Sequence, residues 1–213
     1  MGYTHFLNFS MESTVAIQLP FSHLSQWQQI AFSAALLERM IPNYKVFSEH
    51  ADFGEFSVLR NQLELIWQWL DKNNRCKINY EAQINKLEPQ IPDPEGFDFF
   101  GVFPAIDATM ATMSLLQAMQ DKEVEGAEIV SRLSENSVTY YVELMIADQR
   151  DANDDSDITT KEIEQHPLME WEFDTQNELY YALKDSPENK ETCIKIKAMV
   201  LEEGLSNLGI EIT

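Results

Sequence analysis

The run FFGVFPAIDATMATMSLLQAMQ, residues 99–120, holds one charged residue, Asp107, in a chain with 36 Asp and Glu against 15 Lys and Arg. No other stretch limits the fold so strongly. Pro104 suits the first turn of a helix, because the N–H it lacks would have no intrahelical partner there. Asp107 then falls in or beside that turn, where unpaired N–H groups and the positive dipole end favour a carboxylate by about 0.3–1 kcal/mol. From Ala108 to Gln120 there is no charge on any side. A helix apolar all round belongs inside a bundle, and Ala105, Ala108 and Ala111 would let its neighbours approach closely. The run nears membrane-spanning length, but polar residues interrupt it and acids flank both ends, so a core helix is expected and not a span.

Helical spacing recurs along most of the chain. SQWQQIAFSAALLERM starts a helix near Ser22–Ser25 that Pro42 is expected to stop, with a short helix following through Val46 and Phe47. Phe56, Leu59, Leu63, Ile66 and Leu70 form one apolar face of a helix ending near Asp71. Asn79 caps a short helix to about Leu87, and EPQIPDPEG reads as a loop. Val130, Leu133, Ser137, Tyr141 and Leu144 mark a further amphipathic face. After the acidic loop DQRDANDDSD, a short helix ends at His166–Pro167. Leu168, Trp171, Thr175, Leu179 and Ala182 mark the next helix. Ser186-Pro187-Glu188 reads as the start of the last one, which carries Cys193, Ile196 and Val200 and stops at Gly204. A short strand is expected only at Ile210–Ile212. The reading is an all-α fold of seven or eight helices around a central apolar helix. It assigns residues 22–213 to a single domain and residues 1–21 to an N-terminal extension.

Composition restricts function more than it reveals it. A net charge of −21 repels phosphate backbones and anionic lipid, which argues against nucleic acid and membrane as partners and for basic ones. Cys76 and Cys193 form no CxxC pair and read as reduced thiols. No Lys or Arg precedes Arg39, so the basic start of a secretory signal is missing and a cytoplasmic location is expected.

Catalytic and cofactor motifs are likewise missing from the sequence. Gly96 and Gly101 have the Walker A gap, but Val102 stands where Lys is required. Ile163, three before His166, breaks the Glu-x-x-His pattern of di-iron bundles. His5, His23, His50 and His166 have no ligand spacing. The expectation is therefore no catalytic residue and no cofactor. One enzymatic alternative combines Asp107 with Glu38 or Glu172 in a site of dispersed carboxylates. For Glu38, next to Arg39 and ahead of Pro42, a salt bridge is the simpler expectation.

A metal alternative lies in DANDDSDITTKE. Asp151, Asn153, Asp155, Asp157, Thr159 and Glu162 occupy positions 1, 3, 5, 7, 9 and 12 of a calcium-binding EF-hand loop. Ser156 stands at the position that calls for glycine. The same residues also read as a solvated loop leading into a capping box, Thr159 to Glu162. Trp67 and Trp69, two apart on one helix, point to different sides, so one of them is a candidate partner anchor.

Four stretches, ERMIPNYKVF (38–47), FDFFGVFPAIDA (97–108), EWEFD (170–174) and EEGLSNLGI (202–210), resemble the bacterial YjaG-like proteins, the domain-of-unknown-function family DUF416. The resemblance runs in order from about Leu24 to Ile212. It implies an all-helical fold with no assigned activity and an association with signalling. With the charge and the missing motifs, it leads to an expectation of a cytosolic interaction or accessory protein with a protein partner.

Overall fold

A computed structural model describes residues 17–73, 76–151 and 156–212. Among the described residues the chain forms α1 (Gln26–Ala51), α2 (Phe56–Leu70), α3 (Tyr80–Leu87), α4 (Val102–Gln120), α5 (Gly126–Gln149), α6 (Thr160–Glu164), α7 (Pro167–Lys184) and α8 (Lys190–Val200). The only strand-like pairing among them is an isolated bridge between Leu205 and Glu211. The all-α reading is borne out.

The helix α1 begins where a capping box dictates. The Ser25 side chain accepts from the Gln28 N–H, and the Gln28 side chain accepts from the Ser25 N–H, an arrangement that stabilises a helix start by about 1 kcal/mol. Pro42 does not stop it. The helix runs on to Ala51, although an interior proline forfeits one hydrogen bond and costs about 3 kcal/mol. Packing offsets that cost, because Met40, Ile41, Tyr44 and Phe47 on both sides of Pro42 are fully buried. Local propensity loses to tertiary burial here. As a result α1 is the hub of the bundle, touching α2, α4, α5, α7 and α8.

Against α1 lies α4, which in turn packs on α5. The two run antiparallel. Asp107 meets Ser137, and a methyl at Gly126 would overlap the Ala118 Cβ. Gly126 is therefore required by close approach of the two helices.

Two expectations for α4 need correction. It starts at Val102, so Asp107 is its sixth residue, beyond the first turn. The carboxylate does not serve the helix start; its Oδ2 accepts from Ser137 Oγ at 2.8 Å. Nor is α4 hidden all round, because Phe103 and Met110 are 40% and 39% exposed.

The face of α7 is also rotated from expectation. Its buried side is Met169, Glu172, Gln176, Leu179, Tyr180 and Leu183, while Trp171 is half-buried. The helix α8 begins one turn later than expected, capped by Asn189, whose side chain accepts from the Thr192 N–H at 2.9 Å. The described chain is already packed on the bundle from residue 17. Leu19 and Phe21 lie on the core, and the Phe21 and Phe32 rings meet edge to face at 5.0 Å.

Candidate functional site

Glu38 and Arg39, adjacent on α1, point to different sides of the helix, and each meets partners from other elements. On one side, Glu38 accepts from Trp67 Nε1 at 2.8 Å and forms ion pairs with Arg60 at 2.6 Å and Lys197 at 2.8 Å. Burial opposes its ionisation, but the hydrogen bonds from Arg60 and Lys197 outweigh that and hold its carboxyl below the ordinary value. Glu38 thereby ties α1 to α2 and α8. It also lines a groove of about 250 Å³ that includes Pro42, Lys45, Val46, Phe56 and Arg60.

On the other side, Arg39 Nη1 donates to Glu172 Oε2 at 2.8 Å, and both side chains are fully buried. The guanidinium lies 4.2 Å from the Trp171 ring centre, a cation–π contact. The other Glu172 oxygen accepts from Ser134 Oγ at 2.6 Å and from Gln176 Nε2 at 2.8 Å. Ser131 donates to Gln176 Oε1 at 2.6 Å. Asn207, from the segment after α8, donates to Ser134 and accepts from Asn43 Nδ2 at 2.7 Å. Its own N–H bonds the Arg39 carbonyl at 3.2 Å. The Glu172 ion pair and the Trp171 ring offset part of the cost of burying the Arg39 guanidinium, whose Nε and Nη2 have no hydrogen-bond partner among the described residues.

These polar groups form a structural clasp joining α1, α5, α7 and the C-terminal segment. Three of the four stretches that carry the family resemblance, 38–47, 170–174 and 202–210, supply most of it. The expected salt bridging at Glu38 occurs, and each of Glu38 and Arg39 takes partners distant in the chain. Asp107, Glu38 and Glu172 share no hydrogen-bond partner among the described residues.

The fourth stretch, 97–108, leads to a different kind of surface. Phe97 and Phe99 anchor the approach to α4 against Phe47, with ring centres 5.1 and 5.6 Å away. Beyond them Phe100 contacts Phe103 and Tyr141 at 6.4 and 5.5 Å, and Phe103 contacts Tyr140 at 6.2 Å. Tyr140 is 38% exposed. From this aromatic group, Phe103, Ile106, Met110 and Met113 continue along α4 at helical spacing. Met110 is exposed, and Ile106 and Met113 are half-buried. Beneath the surface, burial pushes the Asp107 carboxyl up to about 7, against the lowering effect of Ser137. The neighbouring Tyr140 hydroxyl is shifted upward, first by burial and then by the charges of Asp107 and Glu143.

The calcium-like pattern falls partly outside the described residues, because Asn153 and Asp155 lie there. Of the remainder, the Thr159 side chain and Glu162 form the expected capping box. Glu162 Oε2 accepts from the Thr159 N–H and hydroxyl, and Oε1 accepts from Arg150 at 2.8 Å. These hydrogen bonds hold its carboxyl down at about 2. No group of three or more His, Cys, Asp or Glu side chains suited to a metal occurs among the described residues. Trp67 and Trp69 are both half-buried, with Trp67 bonded to Glu38. The network around Glu172 was not anticipated; its one sequence signal is Glu172 and Gln176, four apart on the same face as Met169 and Leu179.

The architecture is that of a helical family known from bacteria. The family described as "Protein of unknown function (DUF416)" matches residues 16–211 by its sequence profile, and the chain belongs to that family. The match begins earlier than the resemblance read from Leu24. The chain is 35% identical over 196 residues to the proteins named "Uncharacterized protein YjaG" of Salmonella typhimurium and Escherichia coli, covering 91% of this chain and 95% of each relative. An uncharacterized protein of Haemophilus influenzae is 35% identical over 192 residues, 89% of this chain and 93% of that one. The crystal structure of a DUF416 family protein from Shewanella baltica OS155 matches with TM-score 0.79 and 33% identity, over 92% of this chain and 100% of that one.

Proposed function

We propose that this chain is a cytosolic interaction protein whose contact surface is the outer face of α4 and α5. The observation that carries the reading is the exposed pair Phe103 and Tyr140, whose rings meet at 6.2 Å across α4 and α5, with exposed Met110 two turns further along α4. Large apolar groups clustered on the surface are a mark of interaction sites. The paired ionic groups around Glu38 and Arg39 have a sufficient structural role. The acidic balance favours a soluble protein meeting other proteins. No helix among the described residues is long and apolar enough to cross a membrane.

In-cell photocrosslinking tests the reading. A photoreactive residue in place of Met110 is expected to give a reproducible protein adduct. The same group in place of Asn177, exposed on α7, is expected to give none. Equal labelling from both positions, or none from position 110, overturns it.

A further inference from the structure

We infer that the groove between α1, α2 and the C-terminal segment is a binding site for an aliphatic amine, an ammonium group on a short apolar stem. This site lies on other elements than the α4–α5 contact surface and stands whether or not that surface has a partner. Three observations converge on its chemistry.

The first is the lining. Ile41 and Val46 of α1, Phe56 of α2 and Ile212 of the C-terminal segment give the groove apolar walls. Val46 is left 45% exposed there. At about 250 Å³ the groove is smaller than the roughly 300–1,000 Å³ of sites for drug-sized ligands. It suits a stem of a few carbons.

The second is charge. Three carboxylate residues, Glu38, Glu49 and Glu211, line the groove against two cations, Lys45 and Arg60. Arg60 is already shared between Glu38 and Glu64, and Lys45 lies over the Phe56 ring at 5.9 Å. The Glu49 and Glu211 carboxylates have no hydrogen bond or ion pair among the described residues. A lining with an excess of one sign selects a ligand of the other. No group of three or more His, Cys, Asp or Glu side chains suited to a metal occurs among the described residues, which favours an organic cation over a bare metal ion.

The third is Pro42. Having no N–H, it gives nothing to the Glu38 carbonyl one turn before it, and Glu38 and Pro42 both line the groove. The carbonyl on that face is an acceptor without its helical partner, and an ammonium group carries three donors for such acceptors. Burial of Met40, Ile41, Tyr44 and Phe47 explains how α1 tolerates the proline. An amine in the groove explains what the proline provides.

The test uses the full chain and three probes of one length, pentylamine, pentanol and pentanoate, followed by amide chemical shifts in NMR. Pentylamine is expected to bind at about millimolar concentration and to shift the amides around Pro42 and Arg60. It should bind at least about fivefold tighter than the alcohol or the carboxylate, because its hydrogen bonds are charge-assisted. Its affinity should fall as salt rises from roughly 50 to 300 mM. Nα-acetyl-lysine amide, with the four-carbon stem and ammonium of a protein lysine, separates two sources of the ligand. Affinity at or above that of pentylamine assigns the site to a lysine side chain of a partner protein; affinity well below it assigns the site to a free amine.

Glu49→Gln combined with Glu211→Gln, both at exposed positions, should weaken pentylamine by about tenfold. Pro42→Ala, which returns an N–H to the Glu38 carbonyl, should weaken it by about threefold. Binding of pentanol or pentanoate as tight as that of pentylamine overturns the inference. So do shifts that spare the groove, and so does undiminished binding to either variant.

Discussion

Glu38 on α1 and Asp107 on α4 are both carboxylates on core helices, 4% and 8% exposed, yet their surroundings differ in kind. Glu38 meets two cations and an indole N–H. Asp107 meets a single hydroxyl, and burial pushes it up to about 7. The first site therefore favours the ionised form and the second the neutral form. The same contrast marks the flanks to which they belong. The α1 side is closed by ion pairs and hydrogen bonds that bind five helices and the C-terminal segment together, whereas the outer α4–α5 side is open and apolar. One flank is built to hold the chain together, and the other retains exposed surface that folding did not need.

Mutations can test this division, and the largest effect belongs to the closed flank. Arg39→Met strands the Glu172 carboxylate in the core and is expected to cost about 3–5 kcal/mol in chemical denaturation. Adding Glu172→Leu should restore a large part of it. If the single variant is within 1 kcal/mol of wild type by the error scale of such measurements, the clasp is not what secures the bundle. Glu38→Gln, at a partly solvated site, should cost about 1–2 kcal/mol.

The two carboxylates should also respond to pH with opposite sign. Because the Glu38 value is lowered by folding, its contribution is present above the unfolded value and is lost as pH falls through the folded one. Because the Asp107 value is raised, the folded chain keeps a proton that the unfolded chain has released. Stability therefore declines as pH rises from the ordinary carboxylate range to about 7 and levels off above it. Glu135, also pushed up to about 7 by burial, acts in the same direction. Asp107→Asn should thus shallow that decline without abolishing it and gain about 1–2 kcal/mol at pH 8. A steeper decline would place a cation near Asp107 and erase the contrast. The smallest effect belongs to the open flank. Phe103→Glu and Met110→Glu should each change stability by under about 0.5 kcal/mol, and a larger loss would show that face to be core.

Much of the architecture was readable where apolar spacing and capping agreed. The face of α2, the Asn79 cap and the Thr159–Glu162 capping box all lie where spacing and cap chemistry place them. Errors arose where a distant contact overrode a local rule. Pro42 was expected to end a helix that Tyr44 and Phe47 continue through burial. Trp171 is expected on the buried face of α7 because Glu172 and Gln176 look solvent-facing until Arg39, 133 residues away, is known to meet Glu172 and Ser131 to meet Gln176. Asp107 was assigned to a helix start because Pro104 sets the expected register, yet the turn closed by Phe99 and Phe100 begins the helix earlier. The exposure of Phe103 and Met110 left no sequence signal, since an apolar residue reads the same on either side of a helix. For the candidate site, sequence supplied the residues but not their grouping.

The position of Asn207 bears on how the protein is made. Its partner Asn43 precedes it by 164 residues, so the clasp around α1 stays incomplete until nearly all of the described chain has been synthesised. Helices released early from the ribosome must wait with Arg39 still short of its final neighbours. Completion is therefore a late event, and such long-range closure slows folding. Trimming the last few residues before Ile212 would injure the first helix as much as the tail.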